Sequence, residues 1–515
     1  MAHYPLIELL KRAFINSLDQ DGITAGEFQA WQKSRRHFLK QTAVVAGGMA
    51  FLPSCLQADQ KPRVAIIGAG IAGLNAAWQL RKNGILADVY EASNRTGGRM
   101  WSLNEVFGKE IYSDLGGEFV DTSHADIIKL VEELGLSFLD LRTDPFVKQT
   151  YYFDGKVFSE EDLVKALTPY VKQMVKDITS LPEHISYRTA PDFQRLDDMS
   201  ISEYLQSIGI SGWLYNYLNV LLTREYGMEI TEQSAINFLI MFQAPSNDTG
   251  KYSLFGEDHE VFRIKGGAMH LTDTLYNKMP EQIKFSHRLT AINSGSDGKS
   301  YELEFFTGGK NQTITADYVI STIPFTILRN IPMKVNMPAG KRKCIDELGY
   351  GNSCKLILGM DKKPWRDQKM QGYTFTDISF GCGWDSSNLQ SEREGSFTVF
   401  GGGRFSDMVS DTPMKELEIN FSGGLDTIYP GAKKAYNGKN IKYCWAGNPF
   451  SKAGYSAMKK GQWSTLAGWE AEPVGNIFFA GEQVSLEFQG YMNGAAKTAA
   501  IAAEAVMKKI KSKTS

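Results

Sequence analysis

Three kinds of residue in this chain could do chemistry: a glycine-rich turn with a distant acid, a lysine set in an apolar run, and tyrosines beside glycines near the C-terminus. The turn is Gly68-Ala69-Gly70-Ile71-Ala72-Gly73, with Glu91 downstream. In such a turn the first glycine allows the tight bend and the second lets backbone approach a pyrophosphate. The third lets helix and strand pack closely, and the acid accepts hydrogen bonds from ribose hydroxyls. The helix that follows would aim free N–H groups and the positive end of its dipole at the phosphates. Other chemistries lack their residues. The five cysteines form no CxxC pair and the seven histidines no HxxxH, so no metal site is expected. No G-x-S-x-G elbow occurs, and Gly298-Lys299-Ser300 fails as a P-loop because Asn293 stands where its first glycine must be.

The elements needed to position the turn are legible around it. Arg63-Val64-Ala65-Ile66-Ile67 is a continuous apolar run, the pattern of a parallel strand buried on both faces. A helix should run from the turn through Trp78 and Leu80 and stop at Asn83-Gly84. A second strand, Ala87 to Tyr90, then delivers Glu91. This unit alone would suggest NAD. The next residues, Glu91-Ala92-Ser93-Asn94-Arg95-Thr96-Gly97-Gly98-Arg99 and Asp114-Leu115-Gly116-Gly117-Glu118, resemble the glycine signatures of the flavin amine oxidase superfamily. Asn476 to Glu482 and Gln489-Gly490-Tyr491-Met492-Asn493-Gly494-Ala495 are similar to that family's C-terminal flavin segment, and the resemblance runs from about residue 62 to 510.

The resemblance implies an α/β fold: a Rossmann-like, glutathione-reductase-like FAD-binding domain with a discontinuous α+β substrate domain. Residues 62–123, 255–322 and 455–510 would form the first, and 124–254 with 323–454 the second. It implies FAD held by Gly68, Gly70, Gly73, Glu91, Arg99, Gly116, Gly117, Leu289, Trp445, Gly481, Glu482, Gly490 and Met492. Lys355 matches the family's active-site lysine, which holds a water at flavin N5, and Tyr455 and Tyr491 match its aromatic cage. Some members bond the flavin to a cysteine just before the first tyrosine. Here that residue is Gly454, so non-covalent FAD is expected. The implied reaction passes hydride from the amine-bearing carbon to the flavin. An imine forms, then an aldehyde or keto acid with ammonia, and O2 or another acceptor reoxidises the flavin, O2 giving H2O2. An alkylammonium must first lose a proton, at a cost of about 4–5 kcal/mol in water at neutral pH; an aromatic pocket disfavours the charged form and lowers that cost.

For substrate, an L-amino acid would need a cation on its carboxylate, with Arg224 and Arg404 as candidates; a polyamine would need acids, with Glu118 and Glu225 as candidates. A small monoamine needs neither. Flavin desaturases and porphyrinogen oxidases share the glycine signatures but typically lack the lysine and tyrosine pair, and a flavin-stabilised scaffold without turnover is the reading from another class.

A formal net charge of −2 gives no support for nucleic-acid binding. Residues 1–60 read as an N-terminal extension plus an address: Ser34-Arg35-Arg36-His37-Phe38-Leu39-Lys40 resembles a twin-arginine export signal, followed by a short apolar run. Leu52-Pro53-Ser54-Cys55 resembles a lipoprotein box, so Cys55 is a candidate lipid anchor and the expected location is periplasmic or membrane-anchored. Residues Leu6 to Phe14 read as a helix of unassigned role. Export would place cysteines 344, 354, 382 and 444 in an oxidising compartment, with pairing left open.

Overall fold

The computed structural model describes Phe14 and residues 62–146, 148–182, 184–242, 260–391 and 393–514. The arginine pair and Cys55 lie outside the described residues.

Val64–Ile67 is a strand with all four residues buried. It lies between Ala87–Tyr90 and Tyr318–Ser321, parallel to both. Ile283–Lys284 and Ile477–Phe479 complete a five-stranded parallel sheet, so its strands come from three separated stretches of chain. Helix Ile71–Lys82 ends at Asn83, where the sequence places the stop. It can lie close to the first strand because residue 73 is glycine: a Cβ there would sit 1.9 Å from the Gly68 carbonyl oxygen. Its other side meets the long C-terminal helix Met492–Thr514. Alanines 76, 77, 496, 499 and 503 are buried in this cluster, and small side chains let the two helix axes approach. The α/β expectation with a Rossmann-like sheet therefore holds.

A second sheet has seven strands, ordered Tyr436–Cys444, Ser353–Met360, Gly395–Gly402, Cys382–Asp385, Met370–Thr376, Lys148–Phe153 and Lys156–Val157. Ser353–Met360, which carries Lys355, is an interior strand and all eight of its residues are buried. Cys354 is in register with Cys444 on the neighbouring strand and the two form a disulfide. Helices Glu160–Ser180 and Gly212–Tyr226 pack beside this sheet within the largest apolar core.

Two buried features lie away from the parallel sheet's glycine turn. Phe14 is wholly buried and its ring centroid lies 4.7 Å from that of Phe242. Lys341, on helix Ala339–Glu347, is also wholly buried; its Nζ donates to the carbonyls of Trp469 and Glu470 and sits 3.5 Å from the Phe479 ring centroid. Among the described residues no helix is long and apolar enough to cross a membrane.

Candidate active site

A cavity of about 480 Å³ runs from the glycine turn to the second sheet. At one end the helix Ile71–Lys82 begins at Gly70 with no side-chain cap, so its first-turn amides remain available to an anion. Glu91 borders this end; one oxygen accepts from the Ala69 amide at 2.7 Å and the other from Ser93. Leu289 borders it too. Arg99 also lines the cavity, but its guanidinium donates to the Gly454 carbonyl at 2.8 Å and to Glu482 at 2.7 Å. Glu482 accepts in addition from Ser456 and from the Gly490 amide, which ties the Gly481 and Gly490 turns together.

The middle of the cavity is a narrow cradle. A Cβ at Gly116 would lie 1.8 Å from the Arg99 carbonyl oxygen and 3.0 Å from Trp445, while one at Gly117 would meet Met492 at 2.9 Å. Trp445 is fixed by its indole N–H, which donates to the Leu115 carbonyl at 2.9 Å. Uncapped helix amides, an acid beside them and a side-chain-free backbone facing a tryptophan fit a flavin cofactor, with an anion-binding end at the helix and a narrow slot at Gly116 and Gly117. Gly73 does not border the cavity; its part is the helix–strand contact described above.

The far end holds Lys355, Tyr455 and Tyr491 together. Lys355 comes off the interior strand, and its Nζ donates to Glu118 at 2.7 Å and to the carbonyls of Asp114 and Gly116, both at 2.9 Å. Three acceptors satisfy the three ammonium protons. Glu118 also lies 3.2 Å from Arg263 and accepts from the Trp384 indole. Arg263 in turn is 3.3 Å from Asp114. Two cations and two carboxylates thus balance in a site where each side chain is nearly inaccessible. Burial, with Glu118 nearby, pushes the Asp114 carboxyl above its usual range, against Arg263. The tyrosine hydroxyls are tethered away from the ring faces: Tyr455 donates to the Arg224 carbonyl at 2.7 Å and Tyr491 to Glu225 at 3.4 Å. Burial, with Glu225 and Glu482 nearby, holds the Tyr455 hydroxyl well above its ordinary range and keeps it a neutral donor.

Three of the four substrate candidates lie off the cavity. Arg224 does not border the cavity; its guanidinium is buried against the Phe380 carbonyl and the Phe405 ring. Arg404 is exposed, outside the cavity, with its amide on Glu229. Glu225 is buried behind Tyr491 and does not line the cavity. Glu118 lines it, with Lys355, Arg263 and Trp384 engaging both its oxygens. Sequence reading missed Arg263, Asp114 and Trp384 as site residues. It also missed Asp121 and Glu260, two further acids on the cavity wall. The available signal was charge in apolar company, such as Arg263 between Phe262 and Ile264.

A family model described as flavin containing amine oxidoreductase matches residues 71–507. Flavin-containing amine oxidase B of Cavia porcellus is 24% identical over 479 residues, spanning 88% of this chain and 87% of that protein. An L-amino-acid oxidase of Daboia russelii is 24% identical over 462 residues, 86% and 88% of the two chains. Among solved structures, cyclohexylamine oxidase from Brevibacterium oxydans IH-35A superposes with a TM-score of 0.76 at 21% identity, over 88% of this chain and all of that one. Putrescine oxidase with putrescine bound superposes at 0.75 and 18% identity, over 87% and 99%.

Proposed function

Because this chain belongs to the flavin-containing amine oxidoreductases, we propose that it binds FAD without a covalent bond and oxidises a small primary amine or an L-amino acid. The observation that carries this reading is the convergence of Lys355, Tyr455 and Tyr491 on the cavity that begins at the glycine turn. Bound flavin supplies the acceptor for two electrons from a carbon that bears nitrogen. The product imine is then hydrolysed by water to an aldehyde or keto acid and ammonia, and O2 is the terminal acceptor, giving H2O2.

The protein's own work is positional. Gly70, Ile71 and Ala72 would offer amides to a pyrophosphate and Glu91 would receive a ribose. Gly116, Gly117, Trp445 and Met492 shape the slot for the ring. Gly454 lines the cavity without a side chain, and no cysteine borders it among the described residues, which supports non-covalent binding. Lys355 is fixed at the cavity wall by three acceptors; to hold a water, as its family counterpart does, it would exchange one of them for the water. The aromatic faces of Tyr455, Tyr491, Trp384 and Phe400 favour the neutral amine by excluding water. Residues 62–123, 255–322 and 455–510 would bind the flavin, and 124–254 with 323–454 would shape the substrate end.

Anaerobic mixing of the purified yellow protein with a panel of amines and amino acids tests the reading. Bleaching by at least one is expected; a colourless protein that releases no FAD on heating would overturn it. We also propose export in the folded state by the twin-arginine route, with Cys55 as a candidate lipid anchor. An Arg35→Lys, Arg36→Lys double variant should remain in the cytoplasm, and unchanged localisation would remove that assignment.

A further inference from the structure

The substrate end of the cavity is acidic as well as aromatic. Glu118, Asp121 and Glu260 all border it. Glu118 is committed to Lys355 and Arg263. Asp121 accepts from the Glu260 amide at 2.8 Å and lies 3.5 Å from His124. Glu260 differs from both. It is 4% exposed, one oxygen accepts from the Tyr373 hydroxyl at 3.0 Å, and the other is buried with no hydrogen-bond partner. Its backbone φ is 53°, a left-handed conformation that a residue with a side chain adopts only under constraint. A strained backbone that delivers a buried carboxylate with an unmet acceptor to a cavity wall calls for a ligand to meet it.

The charge of that ligand follows from its surroundings. The cations on the cavity wall are already engaged: Lys355 by Glu118, Arg99 by Glu482, Arg95 by the carbonyls of Thr96 and Gly98, and Arg288 over the Phe306 ring. A substrate carboxylate would meet acids, whereas a second ammonium would meet complementary charge and the aromatic faces of Trp384 and Phe119.

We infer that Glu260, backed by Asp121, is the specificity-determining group that receives the distal ammonium of a diamine whose other amino group is the one oxidised. This rests on the amine-oxidation reading above and narrows its substrate class. Burial, together with Asp121, Glu225 and Glu118, raises the Glu260 carboxyl well above the usual carboxylate range against the pull of Tyr373. An arriving ammonium opposes that rise by favouring the ionised carboxylate.

Anaerobic titration calorimetry of the FAD-loaded protein with diaminobutane and with butylamine tests this. The diamine should bind about ten-fold or more tightly than the monoamine, and Glu260→Gln should bring the two within about three-fold. Equal affinities in the wild type, or a preference that survives in Glu260→Gln, would overturn it. If Glu260→Gln yields no folded holoprotein, a series of α,ω-diamines on the wild type decides: affinity peaking at one chain length is expected, and a flat series overturns the inference. Flavin bleaching is scored separately. Bleaching by both amines without a binding preference removes this inference and leaves amine oxidation standing; a diamine preference without bleaching removes both.

Discussion

Lys355 and Glu118 are each expensive to bury alone and inexpensive together. Removing the lysine leaves Glu118 with Arg263 and the Trp384 indole, so Lys355→Met should lower stability by about 1–3 kcal/mol rather than unfold the protein. Its flavin content should persist while anaerobic bleaching by substrate slows about a hundred-fold; unchanged kinetics would exclude the lysine from the reaction. In a double-mutant cycle with Glu118→Gln, denaturant unfolding should return a coupling of about 1–3 kcal/mol. Gly116→Ala makes a sharper claim. Its Cβ would lie 1.8 Å from the Arg99 carbonyl and 3.0 Å from Trp445, and the backbone shift needed to relieve this closes the slot. The variant should purify folded but nearly colourless, read as the ratio of flavin to protein absorbance. These two positions were readable from sequence through the family resemblance; a charge inside an apolar strand added to the case for Lys355, but alone it would equally fit an exposed edge strand. Glu260 stands out in three dimensions only. Its strain and its unmet oxygen exist once distant residues have closed around it, and no spacing in the chain announces them.

At the scale of elements, the strand Val64–Ile67, helix Ile71–Lys82 and strand Ala87–Tyr90 were legible because they are consecutive and each carries its own period and stop. The lysine strand was legible as a strand but not as an interior one. Its burial depends on Tyr436–Cys444, a strand far along the chain with few apolar residues of its own. That pairing also brings Cys354 to Cys444, which no sequence spacing could have selected from the available cysteines. The bond joins the strand of Lys355 to the strand that leads into Trp445, so it fastens two walls of the cavity together. Thiol titration of the unfolded protein should find two fewer reactive groups before reduction than after. Removing both cysteines as alanines should lower stability by about 2–4 kcal/mol in unfolding by guanidinium.

Over the whole molecule, stability should vary with pH in a way that Lys341 and Glu470 explain. Burial lowers the Lys341 ammonium from 10.5 to about 7 and raises the Glu470 carboxyl from 4.5 to about 7. Between about pH 7 and 10.5 the unfolded chain holds the lysine proton and the folded chain does not, so this group adds stability as pH rises. Between 4.5 and about 7 the folded chain holds the glutamate proton and the unfolded chain does not, so stability falls as pH rises. The pair therefore contributes a trough near neutrality, and Lys341→Met should flatten the alkaline limb of the urea midpoint measured from pH 7 to 10. Phe14 has a consequence of another kind. It lies upstream of the arginine pair, yet its ring fills the core against Phe242. A peptidase trimming the chain just ahead of Cys55 would cut a plug loose from its socket. Were the proposed export and trimming to occur, either the severed piece would stay lodged after the cut or the mature protein would carry a benzene-sized hollow, so leader removal and structural integrity would compete over a single side chain.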